Sequence, residues 1–381
     1  MLPTPSPDAL AHSRHVSAHI AALIEAADGW IPFSRYMEAA LYAPGLGYYA
    51  AGATKFGWAG DFTTAPEITP LFGRTLARAI VPALAATGGD ILELGAGSGR
   101  LAADLLGELA RLDALPARYA ILEPSPDLAA RQRMLLAEAH PHLLSRLCWL
   151  DTLPDTFNGV ILGNEVLDAL PVDVVRWTDT GALARGATYD NGRFVWQDRP
   201  LGNDVVRARA ATLALAPGYV SEIGLAAEGL MHALAASLEN GLILMLDYGF
   251  EAGVYYHPQR YMGTLRAHYR HHALDDPFYL PGLCDLTAHV DFSAIARAGT
   301  AAGLRLAGYA SQAHFLIGSG LTELLTDISP EDTAAWLPQT NAVQRLVSPA
   351  EMGELFKVIA LTKGAIPPLA GFARGDRQHR L

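Results

Sequence analysis

The spacing of apolar residues predicts a chain whose middle part alternates between strands and helices. Short apolar runs typical of buried strands are separated by stretches in which apolar residues recur every three or four positions, as on one face of a helix. The predicted strands are residues 91–94, 119–122, 147–150, 160–162, 242–246 and 356–362, and the predicted helices are 68–86, 100–112 and 126–138. Such alternation indicates right-handed crossovers and a mainly parallel sheet, so the predicted fold class is Rossmann-like α/β.

Two segments interrupt this alternation and are predicted to be insertions. Between about residues 172 and 220, Tyr189 and Phe194 flank an Asn191-Gly192 pair, which is typical of the two-residue turn of an antiparallel hairpin. Between about residues 250 and 290 the sequence is rich in Tyr and His. We therefore expect an N-terminal helical segment with a loop over residues 1–85, a core that carries both insertions over 86–365, and a C-terminal tail over 366–381.

Glycine, proline and aromatic residues cluster between residues 43 and 67, in the N-terminal part. Glycines permit unusual backbone dihedral angles, whereas aromatic rings need something to pack against, so this composition predicts an ordered loop. The loop is a candidate lid over a ligand site. The alternative is a wrapping segment whose rings complete the hydrophobic core.

Composition and charge narrow the class of protein. The 381 residues are 51% hydrophobic, which is enough to bury a large core, and the formal net charge is -11. An acidic chain argues against nucleic acid as the main partner, because that affinity comes largely from Lys and Arg. Cys148 and Cys284 have no metal-ligand spacing, so neither a disulfide framework nor a metal site is expected. Without a signal peptide or a long apolar stretch, we expect a cytoplasmic protein without membrane insertion.

A strand that ends in an acid, followed by a glycine-rich turn and a helix, forms the first candidate ligand site. The pattern Glu-x-Gly-x-Gly-x-Gly, from Glu93 through Gly95, Gly97 and Gly99, places bare backbone where a ligand can approach. A dinucleotide fingerprint would need a glycine at position 100, where the chain has Arg100. S-adenosylmethionine has no pyrophosphate, so this departure favours it over a dinucleotide. The alternative is a tight strand-to-helix turn without a ligand.

Further polar residues follow the next predicted strands. Glu123 ends the second strand, where a carboxylate can accept hydrogen bonds from both ribose hydroxyls of an adenosyl group; a solvated carboxylate near a helix N-terminus is the alternative. Asp151 ends the third strand and either borders the adenine or caps a helix. With Ala96 in the glycine loop and Asn164 after the fourth strand, these residues complete the predicted cofactor site.

Distinctive sequence blocks also stand in order along almost the whole chain. They are LYAPGLGYY at 41–49, GDFTTAPEI at 60–68, ELGAGSG at 93–99, GNEVLDALP at 163–171, DYG at 247–249, GTL at 263–265, DLTAHVDF at 285–292, MG at 352–353 and FKV at 356–358. In these blocks the chain resembles the MidA family of methyltransferases, which includes the mitochondrial complex I assembly factor of eukaryotes. The resemblance implies a seven-stranded class I methyltransferase core with added elements, and S-adenosyl-L-methionine as cofactor. From the eukaryotic members it also implies symmetric dimethylation of an arginine on the quinone-site subunit of complex I.

Three polar residues, Asn164, Glu165 and Asp168, follow directly on the fourth predicted strand, at the edge where α/β folds bind ligands. An arginine acceptor is cationic, so carboxylates must orient its guanidinium, which loses a proton during or after attack. We expect Glu165 to position the guanidinium, with Asn164 hydrogen-bonded beside it and Asp168 behind them. The alternative is that these residues cap the next helix or turn.

The Gly/Pro-rich loop supplies a further set of predicted site residues. Asp61 and Glu67 add carboxylates, and Tyr49 and Phe56 are candidates to wall the methyl-transfer site. All four belong to the lid hypothesis, in which the loop keeps water away from the reaction.

The expected partner is a protein substrate, and the inserted elements are also compatible with a homodimer. Residues 260–272 form a basic segment in an acidic chain, which is either a contact for an acidic partner or solvated surface. The leading function is protein arginine methylation of a respiratory-complex subunit. The alternatives are a small-molecule methyltransferase and an assembly chaperone that binds the cofactor without turnover.

Overall fold

The computed structural model describes residues 2–51 and 64–381 as a mixture of helices and strands. The helices are α1 Pro7–Ala26, α2 Phe33–Tyr42, α3 Ala65–Ile68, α4 Pro70–Thr87, α5 Arg100–Arg111, α6 Pro126–Ala139, α7 Asp204–Leu213, α8 Leu225–Ser237, α9 Ala252–Tyr255, α10 Phe292–Ala301, α11 Gln312–Gly318, α12 Leu321–Thr326, α13 Thr333–Val347 and α14 Met352–Leu355. The strands are β1 Ile31–Pro32, β2 Asp90–Leu94, β3 Tyr119–Leu122, β4 Leu147–Leu150, β5 Phe157–Asn164, β6 Asp173–Thr178, β7 Gly181–Asp190, β8 Arg193–Pro200, β9 Val220–Ile223, β10 Leu238–Phe250, β11 Arg266–Tyr269, β12 His272–Leu274, β13 Asp285–Thr287, β14 Val290–Asp291, β15 Arg305–Ser311 and β16 Phe356–Lys363. Short 3₁₀ helices lie at Pro141–Arg146, Pro258–Arg260, Ala370–Phe372 and Gln378–Arg380. None of the helices in the described ranges is long and apolar enough to cross a membrane.

The described residues divide into two compact units. The core unit consists of residues 63–166, 229–251 and 292–381, and the insertion unit consists of residues 1–62, 167–228 and 252–291. This division differs from the expected one, which kept the N-terminal part and the two insertions apart. The N-terminal helices and the inserted segments share one apolar core, so burial joins residues that are distant in sequence.

The insertion unit is built on a sheet with the strand order β1-β7-β6-β9, in which β8 also pairs with β7. β7 and β8 form an antiparallel hairpin whose turn residues, Asn191 and Gly192, have φ angles of 48° and 81°. Two successive positive φ angles are the conformation that an Asn-Gly pair favours. The ring of Tyr36 in α2 lies 5.4 Å from the ring of Phe194 in β8, so α2 packs against the hairpin.

The basic segment 260–272 forms a loop and part of a second, smaller sheet in the insertion unit, with the order β12-β11-β13. β11 and β12 pair across a turn at Arg270 and His271, whose φ angles are 46° and 64°. The buried carboxylate of Glu222 fixes the loop before β11, because it accepts hydrogen bonds from Thr264 N at 3.0 Å and Leu265 N at 3.1 Å.

The core unit contains a sheet with the strand order β15-β16-β10-β5-β2-β3-β4. Neighbouring strands from β10 to β4 are parallel, whereas β16 runs antiparallel to both β10 and β15. The parallel strands are nearly continuous apolar runs, such as Val160, Ile161 and Leu162, which are all fully buried. Such runs are typical of strands covered on both faces. The predicted α/β class with a mainly parallel central sheet is confirmed.

The carboxyl ends of three parallel strands bring the candidate site residues to one edge of this sheet. β2 and β3 end side by side at Leu94 and Leu122, and Leu94 also pairs with Gly163 near the end of β5. The glycine loop, Glu123 and Glu165 therefore leave neighbouring strands at the same level, which is where open α/β sheets bind ligands.

The segment expected as a C-terminal tail is part of the core unit. Ile366, Leu369 and Phe372 are buried in its apolar core. Phe372 packs so closely onto Gly308 of β15 that a Cβ at this glycine would lie 2.3 Å from the ring. The sequence does not predict β15, because its small residues interrupt the apolar alternation of a strand. In the folded chain the ring of Phe372 packs on this strand at Gly308.

Candidate active site

The glycine loop connects the end of β2 to the start of α5. Gly95, Gly97 and Gly99 have φ angles of 56°, 54° and 86°, in the left-handed region that residues with a side chain disfavour. The loop is closed by hydrogen bonds from Gly95 N to Leu122 O, 3.0 Å, and from Gly99 N to Ala96 O, 2.8 Å. The glycine spacing that the sequence singles out is thus required by the backbone conformation.

Glu93, near the end of β2, is a buried carboxyl with 2% of its surface exposed. It accepts a hydrogen bond of 2.7 Å from the hydroxyl of Tyr119 in β3. Burial raises the pKa of Glu93 to about 7; the Tyr119 hydrogen bond opposes this shift, and the charge of Glu123 adds to it. A carboxyl in this position favours a cationic ligand, because a nearby positive charge stabilises its ionised form.

Glu123 follows β3, and its carboxylate is held from two sides. Oε1 accepts a hydrogen bond from Ser125 N at 3.0 Å, and Oε2 accepts one from Gln132 Nε2 at 2.9 Å. Gln132 is absent from the sequence predictions, although the sequence carries a signal for it. It is a polar residue in the apolar stripe of α6, between the buried Leu128 and Leu136.

Asn164 and Glu165 stand at the carboxyl end of β5. Glu165 has a φ angle of 54°, which is uncommon for a residue with a side chain, and its N–H donates to Leu246 O at 2.9 Å. Its Oε1 accepts hydrogen bonds from Ala65 N at 3.4 Å and from Asn164 Nδ2 at 3.1 Å. The chain then enters a turn, so these residues do not cap a helix that follows them. An unusual backbone conformation that is held in place in this way indicates a functional role.

Glu67 connects the end of the candidate lid to the glycine loop. Its carboxylate accepts a hydrogen bond from the Ser98 hydroxyl. Ala65, in the same short helix α3, donates its N–H to Glu165. Helix α3 therefore contacts both the glycine loop and the carboxylate predicted to bind the methyl acceptor.

Two further predicted residues, Tyr49 and Asp168, belong to the insertion unit. The Tyr49 hydroxyl donates to Asp285 Oδ2 at 3.0 Å, and its ring stacks on Tyr42 with centroids 5.6 Å apart. Burial raises the pKa of Tyr49 well above its usual value, and the charges of Asp285 and Asp168 add to this shift. The carbonyl of Asp168 accepts a hydrogen bond from Ala288 N at 3.0 Å. Asp285, which the sequence does not single out as a site residue, is the partner that fixes the Tyr49 hydroxyl.

The remaining predicted site residues are Asp151, Phe56 and Asp61. Asp151 is exposed in a bend directly after β4, which pairs with β3, and the next element along the chain is β5. It therefore lies at the same sheet edge as Glu123, and it does not cap a helix. Phe56 and Asp61 lie outside the described residues, so the lid hypothesis stays a prediction for them.

The core-unit residues fit an adenosyl cofactor with an amino-acid tail. Among the described residues, a Cβ at Gly95 would meet only Val166, at 3.6 Å, so the loop backbone is open to a ligand on its other sides. Asn164 Oδ1 is buried and has no hydrogen-bond partner in the described part of the chain, which leaves it as an acceptor. Glu123 offers a carboxylate to hydroxyl donors, and Glu93 offers one to a cationic amino group.

Comparison with known proteins decides between the classes of ligand. The model of a family described as S-adenosyl-L-methionine-dependent methyltransferase matches residues 75–310, more than half of the chain. The chain belongs to the MidA family of methyltransferases. S-adenosyl-L-methionine is therefore its cofactor, and the prediction from the glycine loop is confirmed.

Solved structures and named relatives extend the MidA similarity beyond the matched region. A Burkholderia thailandensis crystal structure bound to S-adenosyl-homocysteine is 51% identical with a TM-score of 0.97, covering 100% of both chains. The mitochondrial protein arginine methyltransferase NDUFAF7 of Danio rerio is 27% identical, covering 96% of this chain and 94% of its own. The Drosophila melanogaster NDUFAF7 homologue, also named a protein arginine methyltransferase, is 28% identical over 91% of this chain and 86% of its own.

Proposed function

We propose that this MidA family member is a protein arginine methyltransferase that dimethylates its substrate symmetrically. The observation that supports the proposal most is the carboxylate of Glu165, held at the end of β5 by Ala65 and Asn164. A guanidinium is planar and always cationic, so a fixed carboxylate can orient it through paired hydrogen bonds. The Danio rerio and Drosophila melanogaster relatives, which are named protein arginine methyltransferases, support the same substrate class.

Methyl transfer requires alignment and exclusion of water more than covalent catalysis. Bound S-adenosyl-L-methionine supplies an electrophilic methyl group for an in-line displacement. Ala65 N and Asn164 Nδ2 both bond to Oε1 of Glu165, so the direction of the whole carboxylate is set. Glu165 orients the guanidinium and accepts the proton that its nitrogen loses during or after attack.

The hydrogen bond between Glu67 and Ser98 links the glycine loop to the group that holds Glu165. Because α3 contacts Glu165 through Ala65 and the glycine loop through Glu67, a shift of the glycine loop also shifts the group that holds Glu165. Cofactor binding and acceptor positioning are coupled through this helix in the proposal.

The test compares wild type with Glu165→Gln. Each protein is titrated with S-adenosylhomocysteine by calorimetry and is then incubated with methyl-labelled cofactor and proteins from cells in which the gene is deleted. We expect Glu165→Gln to keep its ligand affinity within about threefold and to lose about 100-fold or more of arginine methylation, measured by mass spectrometry. The amide still accepts the bond from Ala65 N, but it lacks the charge that a guanidinium requires.

Gly97→Val is the control for loss of the cofactor itself. A β-branched residue is strained at the φ angle of 54° found there, so this variant should lose ligand binding and methylation together. Undiminished arginine methylation by Glu165→Gln would contradict the role of Glu165. If the wild type transfers label to small molecules but not to protein, a small-molecule methyltransferase is favoured. If the wild type binds the ligand but yields no labelled product, the assembly chaperone is favoured.

The quinone-site subunit of complex I is our proposed acceptor, and the cytoplasm is the proposed location. The proposed acceptor follows from the resemblance to the MidA family, to which the chain belongs. The labelled extract identifies the acceptor directly: dimethylarginine on that subunit supports the proposal, and label confined to other proteins overturns it. Cell fractionation tests the location.

A further inference from the structure

Gln132 is a fully buried polar residue of α6 to which the sequence assigns no role. Its amide makes three hydrogen bonds, each of 2.9 Å. Nε2 donates to the carbonyl of Gly97 in the glycine loop and to Oε2 of Glu123, and Oε1 accepts from the indole N–H of Trp149 in β4. One side chain therefore forms hydrogen bonds to the loop after β2, to the loop after β3 and to β4.

The three partners determine which way the amide points. Gly97 and Glu123 present acceptors, whereas the indole of Trp149 is a donor only. All three are satisfied when the amide nitrogen faces Gly97 and Glu123 and the oxygen faces Trp149; the flipped amide would turn its oxygen towards two acceptors. A glutamate has no donor for those acceptors, and an aliphatic residue would leave buried polar groups unsatisfied. The site thus requires glutamine specifically.

Helix α6 also packs directly against the glycine loop at this residue. A Cβ at Gly99 would lie 3.3 Å from both Cα and Cγ of Gln132. The third glycine of the loop, whose φ angle is 86°, leaves room for Gln132 as well as making the turn. A displacement of Gln132 is therefore transmitted to the loop backbone.

We propose that Gln132 is a positioning residue for recognition of the ribose of S-adenosyl-L-methionine. It acts through Glu123, whose carboxylate it holds at the end of β3, and through Gly97, whose carbonyl it anchors. Trp149 belongs to the same arrangement, because its N–H sets the direction of the amide. The inference rests on the assignment of Glu123 to the ribose hydroxyls.

The test is the Gln132→Met variant, which keeps the length of the side chain and removes its hydrogen bonds. It is titrated by calorimetry with S-adenosylhomocysteine and with an analogue that lacks the ribose 2′- and 3′-hydroxyls. We expect the variant to bind S-adenosylhomocysteine about tenfold or more weakly than wild type, and to lose much less affinity for the analogue. Trp149→Phe, which removes the indole donor and keeps an aromatic ring, should show the same ligand selectivity with a smaller loss.

A structural role alone would not distinguish the two ligands, so an equal loss for both would overturn the proposal. Gln312→Met is the matched control, because Gln312 is also 0% exposed in the core unit but donates to Leu346 O, 3.0 Å away, in α13. It should lower the urea midpoint and leave both affinities within about twofold.

Glu123→Gln separates the two claims. If this variant keeps the wild-type preference for S-adenosylhomocysteine over the analogue, the ribose assignment of Glu123 is wrong. If it loses that preference while Gln132→Met keeps it, the assignment stands and the role of Gln132 is wrong. Near-ultraviolet circular dichroism establishes whether each variant is folded. If Gln132→Met does not fold, the affinities of Trp149→Phe for the same two ligands test the role of Gln132.

Discussion

Replacing the buried carboxyl of Glu93 by the amide of glutamine should stabilise the free protein at alkaline pH while weakening its hold on the cofactor. Glu93 is 2% exposed and accepts a hydrogen bond from Tyr119. Burial disfavours the ionised form, but the cationic amino group of the cofactor requires it. Glutamine has the same shape, cannot ionise, and still accepts the Tyr119 hydrogen bond through its carbonyl oxygen.

The magnitude follows from the pKa of Glu93, which burial raises from 4.5 to about 7 although the Tyr119 hydrogen bond opposes it. At about 1.4 kcal/mol per pH unit, this difference corresponds to roughly 3 kcal/mol. For an acid with a raised folded-state pKa, the native state binds more protons than the unfolded state. The cost to stability is therefore absent below about pH 4.5, grows between pH 4.5 and 7, and is complete above pH 7.

Urea unfolding of wild type and Glu93→Gln at pH 5 and pH 8 measures this cost. We expect the variant to be more stable by about 3 kcal/mol at pH 8 and by about 1 kcal/mol at pH 5, and to bind S-adenosyl-L-methionine about tenfold or more weakly. Glu138→Gln, at an exposed position on α6, is the control and should change the free energy of unfolding by less than about 0.5 kcal/mol. An equal gain at both pH values, or a loss of stability at pH 8, would show that burial does not raise the pKa of Glu93.

Two further substitutions test other buried carboxylates. Burial alone would raise the pKa of Glu108, but hydrogen bonds from three surrounding arginines lower it to about 2. The charge of Glu108 therefore stabilises the fold fully above about pH 4.5, and this contribution is lost as the pH falls through about 2. Urea unfolding of Glu108→Gln should therefore show a loss of about 3 kcal/mol at pH 7 and about half of that at pH 3; an equal loss at both would contradict the ion pairing. A Cβ at Gly263, where φ is 74°, would lie 2.2 Å from Glu222 Oε1, so Gly263→Ala should lower stability by about 2 kcal/mol or more in thermal unfolding. Gly253→Ala, whose Cβ would meet nothing within 4 Å among the described residues, should be nearly neutral, and equal behaviour of the two variants would exclude the clash.

Local sequence is sufficient to predict the elements around the glycine loop to within one residue at most boundaries. The predicted strands 119–122 and 147–150 coincide with β3 and β4, and the helices at 100–112 and 126–138 differ from α5 and α6 by one residue. These elements are connected by short loops and carry a regular apolar period, so local sequence is sufficient to specify them. The positions of the loop glycines can also be predicted from the sequence, because the positive φ angles of this loop exclude most other residues.

Roles that depend on contacts between residues distant in sequence become visible only in the folded chain. β15 lacks an apolar pattern of its own and is stabilised by Phe372, more than sixty residues later in the chain. Gln132 is one polar residue in an apolar helix stripe until Gly97, Glu123 and Trp149 are brought around it. Burial and hydrogen-bond satisfaction are properties of the folded surroundings, and a one-dimensional pattern can indicate a polar residue in a core but not the partners that explain it.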